Sequence, residues 1–134
     1  LVSLPLPAPR ANERYLPFGA NIVLVGEELA LDGERNALLT LRWRTAAPQV
    51  DDYAVSTRLL GADGIWLGMY DSQPGLGAIP TLKWVTRGDV VRDPHPFTEL
   101  GSQPRQLSIA VYERFRLTPL RSAQGDVTTL ELPE

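Results

Sequence analysis

The sequence has no cysteine and a single histidine, His95, among its 134 residues. Without cysteine the chain can form neither disulfides nor thiolate sites, although this leaves its cellular compartment open. Nucleophilic catalysis requires a base beside the nucleophile and a third group that orients the base. Because one histidine and no cysteine leave few such arrangements, we identify no catalytic residues and expect this domain not to be an enzyme.

Long apolar runs and a strong excess of one charge are also missing. No segment approaches the roughly 18 apolar residues of a membrane-spanning helix, so we expect no direct membrane insertion by this segment. The 13 Lys and Arg residues nearly balance the 16 Asp and Glu residues, and nucleic acid is therefore not an expected partner. No run of oxygen-bearing residues has the ligand spacing of a calcium loop. We expect neither a metal site nor a cofactor.

Helical periodicity is absent, and apolar residues alternate with polar ones instead. Leu39, Leu41 and Trp43 alternate with polar residues, and the same period of two recurs in residues 53–59 and 106–111. This pattern is typical of strands with one face in a core and the other in water. We therefore expect one core to contain Leu41, Trp43, Val55, Leu59, Ile109 and Val111.

Turn residues divide these segments into short strands. Asp63-Gly64 stands between apolar runs and predicts a β-hairpin, in which Gly64 adopts a positive φ. Residues 21–32 predict a bent or bulged strand, because Gly26 and two glutamates interrupt its apolar run. Together the segments predict an all-β fold: an antiparallel β-sandwich, immunoglobulin-like or jelly-roll-like, of about eight or nine strands.

Prolines indicate the domain boundary and the irregular segments. Residues 1–20 are proline-rich and are interpreted as a linker or edge segment, followed by a single β-sandwich domain over residues 21–134. Residues 72–80 contain too many breakers for a regular element and predict a loop. Residues 92–105 predict an irregular crossover between the sheets, in which His95 lies in a solvated loop between two prolines.

The residues best suited to bind a ligand surround the loop at residues 72–80. They are Trp66, Tyr70, Asp71, Gln73 and Trp84. Trp66 and Tyr70 are expected to share the strand face opposite Ile65, Leu67 and Met69. Exposed aromatic rings with amide and carboxylate neighbours are suited to hold sugar rings by stacking and hydrogen bonding. The alternative is that the loop and Trp84 fold over Trp66 as a minor core.

Several strings in the sequence resemble a known type of domain. They are Leu41-Arg42-Trp43-Arg44, Asp52-Tyr53-Ala54-Val55, Leu59-Leu60, Asp63-Gly64, Asp71-Ser72-Gln73-Pro74, Pro80-Thr81-Leu82-Lys83-Trp84, Gly88-Asp89-Val90-Val91-Arg92-Asp93 and Val111-Tyr112. They are similar to a C-terminal soluble domain that follows the membrane-spanning part of uncharacterised bacterial proteins. Many of those proteins are described as glycosyltransferases of the protein-mannosyltransferase-like type, especially in filamentous green non-sulfur bacteria. The resemblance covers residues 22–132.

The resemblance implies a position on the extracytoplasmic face of the bacterial cytoplasmic membrane, beside a glycosyl-transfer module, with the proline-rich N-terminus as the tether. It supplies no site residues. Where that pattern has Tyr-x-Val-Phe-x-His-Leu, this chain has Tyr53-Ala54-Val55-Ser56-Thr57-Arg58-Leu59. It therefore lacks the aromatic residue and the histidine of the pattern.

The expected function is a non-catalytic accessory domain of a longer, membrane-bound, glycosyltransferase-like protein. Its partner is expected to be a glycan or the catalytic or membrane part of the parent chain. A purely structural or protein-interaction module is the alternative. A stand-alone hydrolase is the third function considered, and it ranks last because a base and a nucleophile are lacking.

Overall fold

The computed structural model describes residues 10–19, 22–32, 35–45, 53–72, 91–113 and 117–132. Within these ranges the chain forms nine strands and one short 3-10 helical turn, Ala62–Gly64. The strands are β1 (Arg10–Phe18), β2 (Ile22–Leu31), β3 (Ala37–Thr45), β4 (Tyr53–Leu60), β5 (Trp66–Ser72), β6 (Val91–Phe97), β7 (Gln106–Glu113), β8 (Pro119–Leu120) and β9 (Thr128–Glu131). No helix in these ranges has the length and apolar content that a membrane crossing requires.

The strands form two antiparallel sheets. The four-stranded sheet has the order β1-β2-β3-β6, and the five-stranded sheet has the order β5-β4-β7-β8, with β9 also paired to β7. The apolar faces of both sheets contribute to one core cluster. This is the all-β antiparallel sandwich that the alternation of the sequence predicts.

The core contains the residues that the alternation places there. Leu41, Trp43, Val55, Leu59, Ile109 and Val111 are all buried in the same cluster. Phe18 at the end of β1 packs against Trp43, with ring centroids 5.6 Å apart in an edge-to-face arrangement. The predicted core is therefore confirmed, and it extends to the edge strand β1.

Two local predictions are also confirmed. The β4–β5 hairpin turns at Asp63 and Gly64, whose φ angles are 60° and 75°, the left-handed region that glycine adopts without a steric penalty. The second strand is bulged, because its pairing with β3 shifts between Leu24 and Gly26. Part of the proline-rich segment forms the edge strand β1, and residues 1–9 lie outside the described residues.

The prediction of an irregular crossover over residues 92–105 is wrong in its first half. Residues Val91–Phe97 form strand β6, which pairs with β3 from Val91 to Phe97 without a register shift. The strand tolerates Pro94 and Pro96 because it lies at the edge of its sheet, where alternate N–H groups have no ladder partner. The intervening residues face the core.

The prediction of a solvated His95 is wrong for the same reason. The position of His95 between two prolines places its side chain on the inner face of β6, where it has no exposed surface. Pro94 and Pro96, which suggest a loop in the sequence, occupy the outward-facing positions of a strand whose side chains alternate strictly between the two faces. The second half of the crossover, from Thr98 to Arg105, contains no strand.

Candidate functional site

A bulge in β5 decides which side chains this strand presents to solvent. Leu60 pairs with Trp66 and Leu59 pairs with Gly68, so Leu67 is the extra residue. Directly paired residues of antiparallel strands lie on the same face of a sheet, and Leu59 faces the core while Leu60 does not. Trp66 therefore lies on the outer face of the sheet, and Gly68 lies on the core side.

The bulge corrects the expectation that Trp66 and Tyr70 share a face. Trp66 shares the outer face with Met69 and Asp71, whereas Tyr70 pairs with the buried Thr57. The Tyr70 ring packs edge-on against His95 and Phe97, at centroid distances of 5.2 and 6.5 Å. Tyr70 is thus part of the core wall, and Trp66, with 60% of its surface exposed, is the member of this pair that is available to a ligand.

The strand register builds a broad polar surface around Trp66, which we call the outer face. Asp71, Ser56 and Ala110 form one row across β5, β4 and β7, and Met69, Arg58 and Ser108 form the next. A groove of about 440 Å³ crosses these rows. It is lined by Ser56, Arg58, Met69, Asp71, Ala110, Tyr112, Leu117, Pro119, Asp126 and Val127.

Charged groups in the groove have both signs. Arg58 and Asp71 are exposed, and within the described ranges neither side chain forms a hydrogen bond or an ion pair. Asp126 accepts a 2.9 Å hydrogen bond from Nε of Arg121. Burial, and secondly the negative charge of Asp71, raise the pKa of Tyr112 above its ordinary value of 10.0. Tyr112 therefore remains a neutral hydrogen-bond donor near a carboxylate that has no hydrogen-bond partner among the described residues.

The structure brings only part of the predicted site together. Trp66 and Asp71 lie on the outer face, and Tyr70 lies inside. Gln73 and Trp84 lie outside the described residues, as does nearly all of the loop expected at residues 72–80. Sequence reasoning missed Arg58 and Tyr112, whose signal was available: each occupies an outward position in a strand that the alternation had identified.

A second polar cluster lies in the core, between the inner face of β4 and β5 and the other sheet. His95 Nε2 donates a 2.8 Å hydrogen bond to Asp93 Oδ2, and its Nδ1 lies 2.7 Å from the hydroxyl of Thr57. Trp43 Nε1 donates to the same Asp93 oxygen at 3.3 Å, and the Thr57 hydroxyl contacts the Tyr70 carbonyl at 3.1 Å.

The order hydroxyl, imidazole and carboxylate is that of a catalytic triad. None of its three side chains has exposed surface, however, so a substrate has no access to them. The cluster instead joins β3 and β6 of one sheet to β4 of the other. In the described part of the chain, no group of three or more His, Cys, Asp or Glu residues could hold a metal ion.

Comparison with known proteins identifies no relative of this chain. No family model matches the chain, and no curated protein or solved structure is significantly similar to it. The outer face, with its exposed indole, its charged groups and its groove, is therefore the candidate functional site on the strength of its geometry.

Proposed function

We propose that the chain is a non-catalytic carbohydrate-binding domain and that a glycan binds on its outer face. The observation that carries the proposal is the bulge at Leu67, which places Trp66 on the same face as Asp71 and the groove. An exposed tryptophan costs a soluble domain solvation free energy, and such residues are common where one ring face serves a ligand.

The chemistry of the outer face matches that of a sugar ring. A pyranose has an apolar C–H face, which stacks on an indole, and a rim of hydroxyl groups, which both donate and accept hydrogen bonds. Asp71 can only accept and Arg58 can only donate, so the two together satisfy both roles of a hydroxyl. Tyr112 adds a neutral phenol to the lining of the groove. Met69, 46% exposed, adds apolar contact between these groups.

We further propose that this domain is an accessory part of a membrane-bound, glycosyltransferase-like protein and lies on the extracytoplasmic face of the bacterial cytoplasmic membrane. The support is the sequence resemblance over residues 22–132. In that setting, the outer face would hold a glycan near the catalytic part of the parent chain. Binding by a flat ring and a few exposed hydrogen bonds is expected in the micromolar to millimolar range, about 4–8 kcal/mol.

Oligosaccharide titration followed by tryptophan fluorescence and amide NMR shifts tests the proposal. We expect shifts at Trp66, Asp71 and their neighbours, and we expect Trp66→Ala to weaken binding about tenfold. Tyr15→Ala is the matched control, since Tyr15 is a 77% exposed aromatic residue on β1 of the other sheet. If no glycan in a broad array perturbs the outer face, carbohydrate binding is rejected.

A protein-interaction module is the second candidate. The observation that favours it is the set of exposed apolar residues near the outer face, Ile65, Leu117 and Val127, which suit a protein partner. Under this alternative Leu117→Glu abolishes binding to the membrane part of the parent chain, and Asp71→Asn leaves it unchanged. The carbohydrate proposal predicts instead that Asp71→Asn weakens glycan binding.

A further inference from the structure

The backbone positions at the two ends of the outer face are further apart than one sugar ring is wide. Trp66 lies opposite Leu60, and Asp71 lies opposite Ser56, four positions earlier on β4. β4 pairs with β7 from Tyr53 to Leu60 without a register shift, so these positions are separated by roughly 13 Å at about 3.3 Å per residue. A pyranose ring is no wider than an indole ring. One sugar ring therefore does not span the backbone separation of Trp66 and Asp71.

The surface between the two ends is continuous and offers contacts along its length. Met69 and Arg58 are directly opposite each other, and both are exposed. They place an apolar thioether and a guanidinium halfway between Trp66 and Asp71. An apolar surface and a hydrogen-bonding group are thus close to each other at Trp66, at the Met69–Arg58 pair and at Asp71.

The far end is a shallow, open depression. Ser56 and Ala110 pair directly and form its floor with small side chains. Larger residues border the floor: Asp71 lies on the β5 side, and Leu117 and Val127 lie on the side of β8 and β9. A sugar ring in this depression has carboxylate on one edge and apolar side chains on the other.

The charges of the described part of the outer face disfavour one class of glycan. The positive charge of Arg58 is balanced by Asp71, and Asp126 is paired with Arg121. At the Trp66 end, Glu131 accepts a hydrogen bond from Gln106 and adds negative charge. Among the residues of this face that the structure describes, no excess of positive charge is present to attract a sulfated or uronic acid polymer.

We propose that the outer face is one extended site for a neutral oligosaccharide of at least three units, which runs along β4 and β5 from Trp66, over Met69 and Arg58, to the groove at Asp71 and Tyr112. This inference rests on the proposed carbohydrate-binding function. It specifies the length and charge of the ligand.

The test is a calorimetric length series on the chain itself. The probes are glucose, cellobiose, cellotriose and cellotetraose, the α-1,2-linked mannose oligomers of the same lengths, and trigalacturonate as the charged comparison. We expect affinity to rise by about tenfold or more from the monosaccharide to the trisaccharide of the series that binds, and to change little beyond the tetrasaccharide.

Variants at the two ends locate the ligand. Trp66→Ala and Asp71→Asn change exposed side chains and should leave the fold intact. We expect each to weaken trisaccharide binding several-fold, whereas Tyr15→Ala has no effect. For a monosaccharide, at most one of the two variants should matter.

The outcomes separate the two proposals. If the monosaccharide binds as tightly as the trisaccharide and only one end responds to substitution, the extended site is wrong while carbohydrate binding stands. If trigalacturonate binds more tightly than the neutral trimers, the inference about charge is overturned. If none of these probes and no glycan of a broad array binds, both the extended site and the proposed function are rejected.

Discussion

Strands β4 and β5 carry polar side chains on both faces, and the two faces use them in opposite ways. On the inner face Thr57 and the Tyr70 carbonyl belong to a network with His95 and Asp93 that has no exposed side chain. On the outer face, one residue away along the chain, Arg58 and Asp71 are exposed and form no hydrogen bond or ion pair within the described ranges.

The difference follows from the cost of leaving a polar group without a partner. A buried donor or acceptor that lacks a hydrogen bond costs about 1–3 kcal/mol, so every such group in the core must find one. A group in water incurs no such cost, and folding does not require that it be paired. The exposed polar groups on the same face as Trp66 that have no partner among the described residues are those that the proposed ligand would use. The predictions below compare matched residues from the two faces.

The largest difference is expected between two tryptophans. Trp43→Ala removes a fully buried side chain and its hydrogen bond to Asp93, and should lower the free energy of unfolding by about 3–5 kcal/mol. Trp66→Ala, on the outer face, should change it by no more than about 0.5 kcal/mol. Urea denaturation of both variants measures the difference. Similar losses for the two would show that the assignment of faces is wrong.

Two aspartates give the next comparison. Asp93→Asn removes the charge that accepts hydrogen bonds from Trp43 and His95, and should destabilise the fold by about 1.5–3 kcal/mol. Asp126→Asn disrupts only the exposed pair with Arg121 and should cost less than about 1 kcal/mol. Thermal melting by circular dichroism compares them. The imidazole NMR signals can be assigned to His95 directly, because the chain has one histidine. They should shift in Asp93→Asn, which changes the hydrogen-bond partner of the ring, and not in Asp126→Asn.

Adjacent residues on β4 provide the closest match. Thr57→Val keeps the side-chain volume but removes the hydroxyl that contacts His95 and the Tyr70 carbonyl, at an expected cost of about 1–3 kcal/mol. Ser56→Ala removes a hydroxyl from the outer face and should cost no more than about 0.5 kcal/mol. Chemical denaturation of the pair is the measurement. A neutral Thr57→Val would mean that the buried network contributes nothing to the joining of the sheets.

The core and the hairpin could be predicted from the sequence because both depend on local patterns. A period of two places Leu41, Trp43 and Val55 inside without knowledge of the partner strands. Asp63-Gly64 determines a tight turn through its own backbone preferences. Such features need no information from distant residues.

The outer face could be predicted only in part, because its composition depends on register. The bulge at Leu67 leaves no trace in the pattern of β5, yet it moves Trp66 from the side of Tyr70 to the side of Asp71. The juxtaposition of Arg58 and Tyr112 with these residues comes from pairing across three strands. His95 was misplaced because prolines indicate a loop unless the strand is known to lie at a sheet edge.

The smallest expected effect concerns the ionisation of Tyr112. Burial, and secondly the charge of Asp71, raise the pKa of its phenol above 10.0, so the folded chain keeps this proton at a pH where the unfolded chain has lost it. The resulting contribution to stability is complete below pH 10.0 and is lost as the pH rises through the raised pKa. The fold should therefore become less stable in alkali. Tyr112→Phe should remove that part of the alkaline loss.

Ultraviolet absorbance of phenolate across an alkaline titration tests the cause as well as the direction. The chain has four tyrosines, and the difference between the wild type and Tyr112→Phe isolates the transition of this one. We expect Asp71→Asn to lower the midpoint, because it removes the like charge, but not to return it to the ordinary value, because burial is the larger cause. An unchanged midpoint in Asp71→Asn would place the carboxylate too far from the phenol to act with it on one ligand. A lowered midpoint links the two groups electrostatically across the groove, as a shared site for a sugar hydroxyl requires.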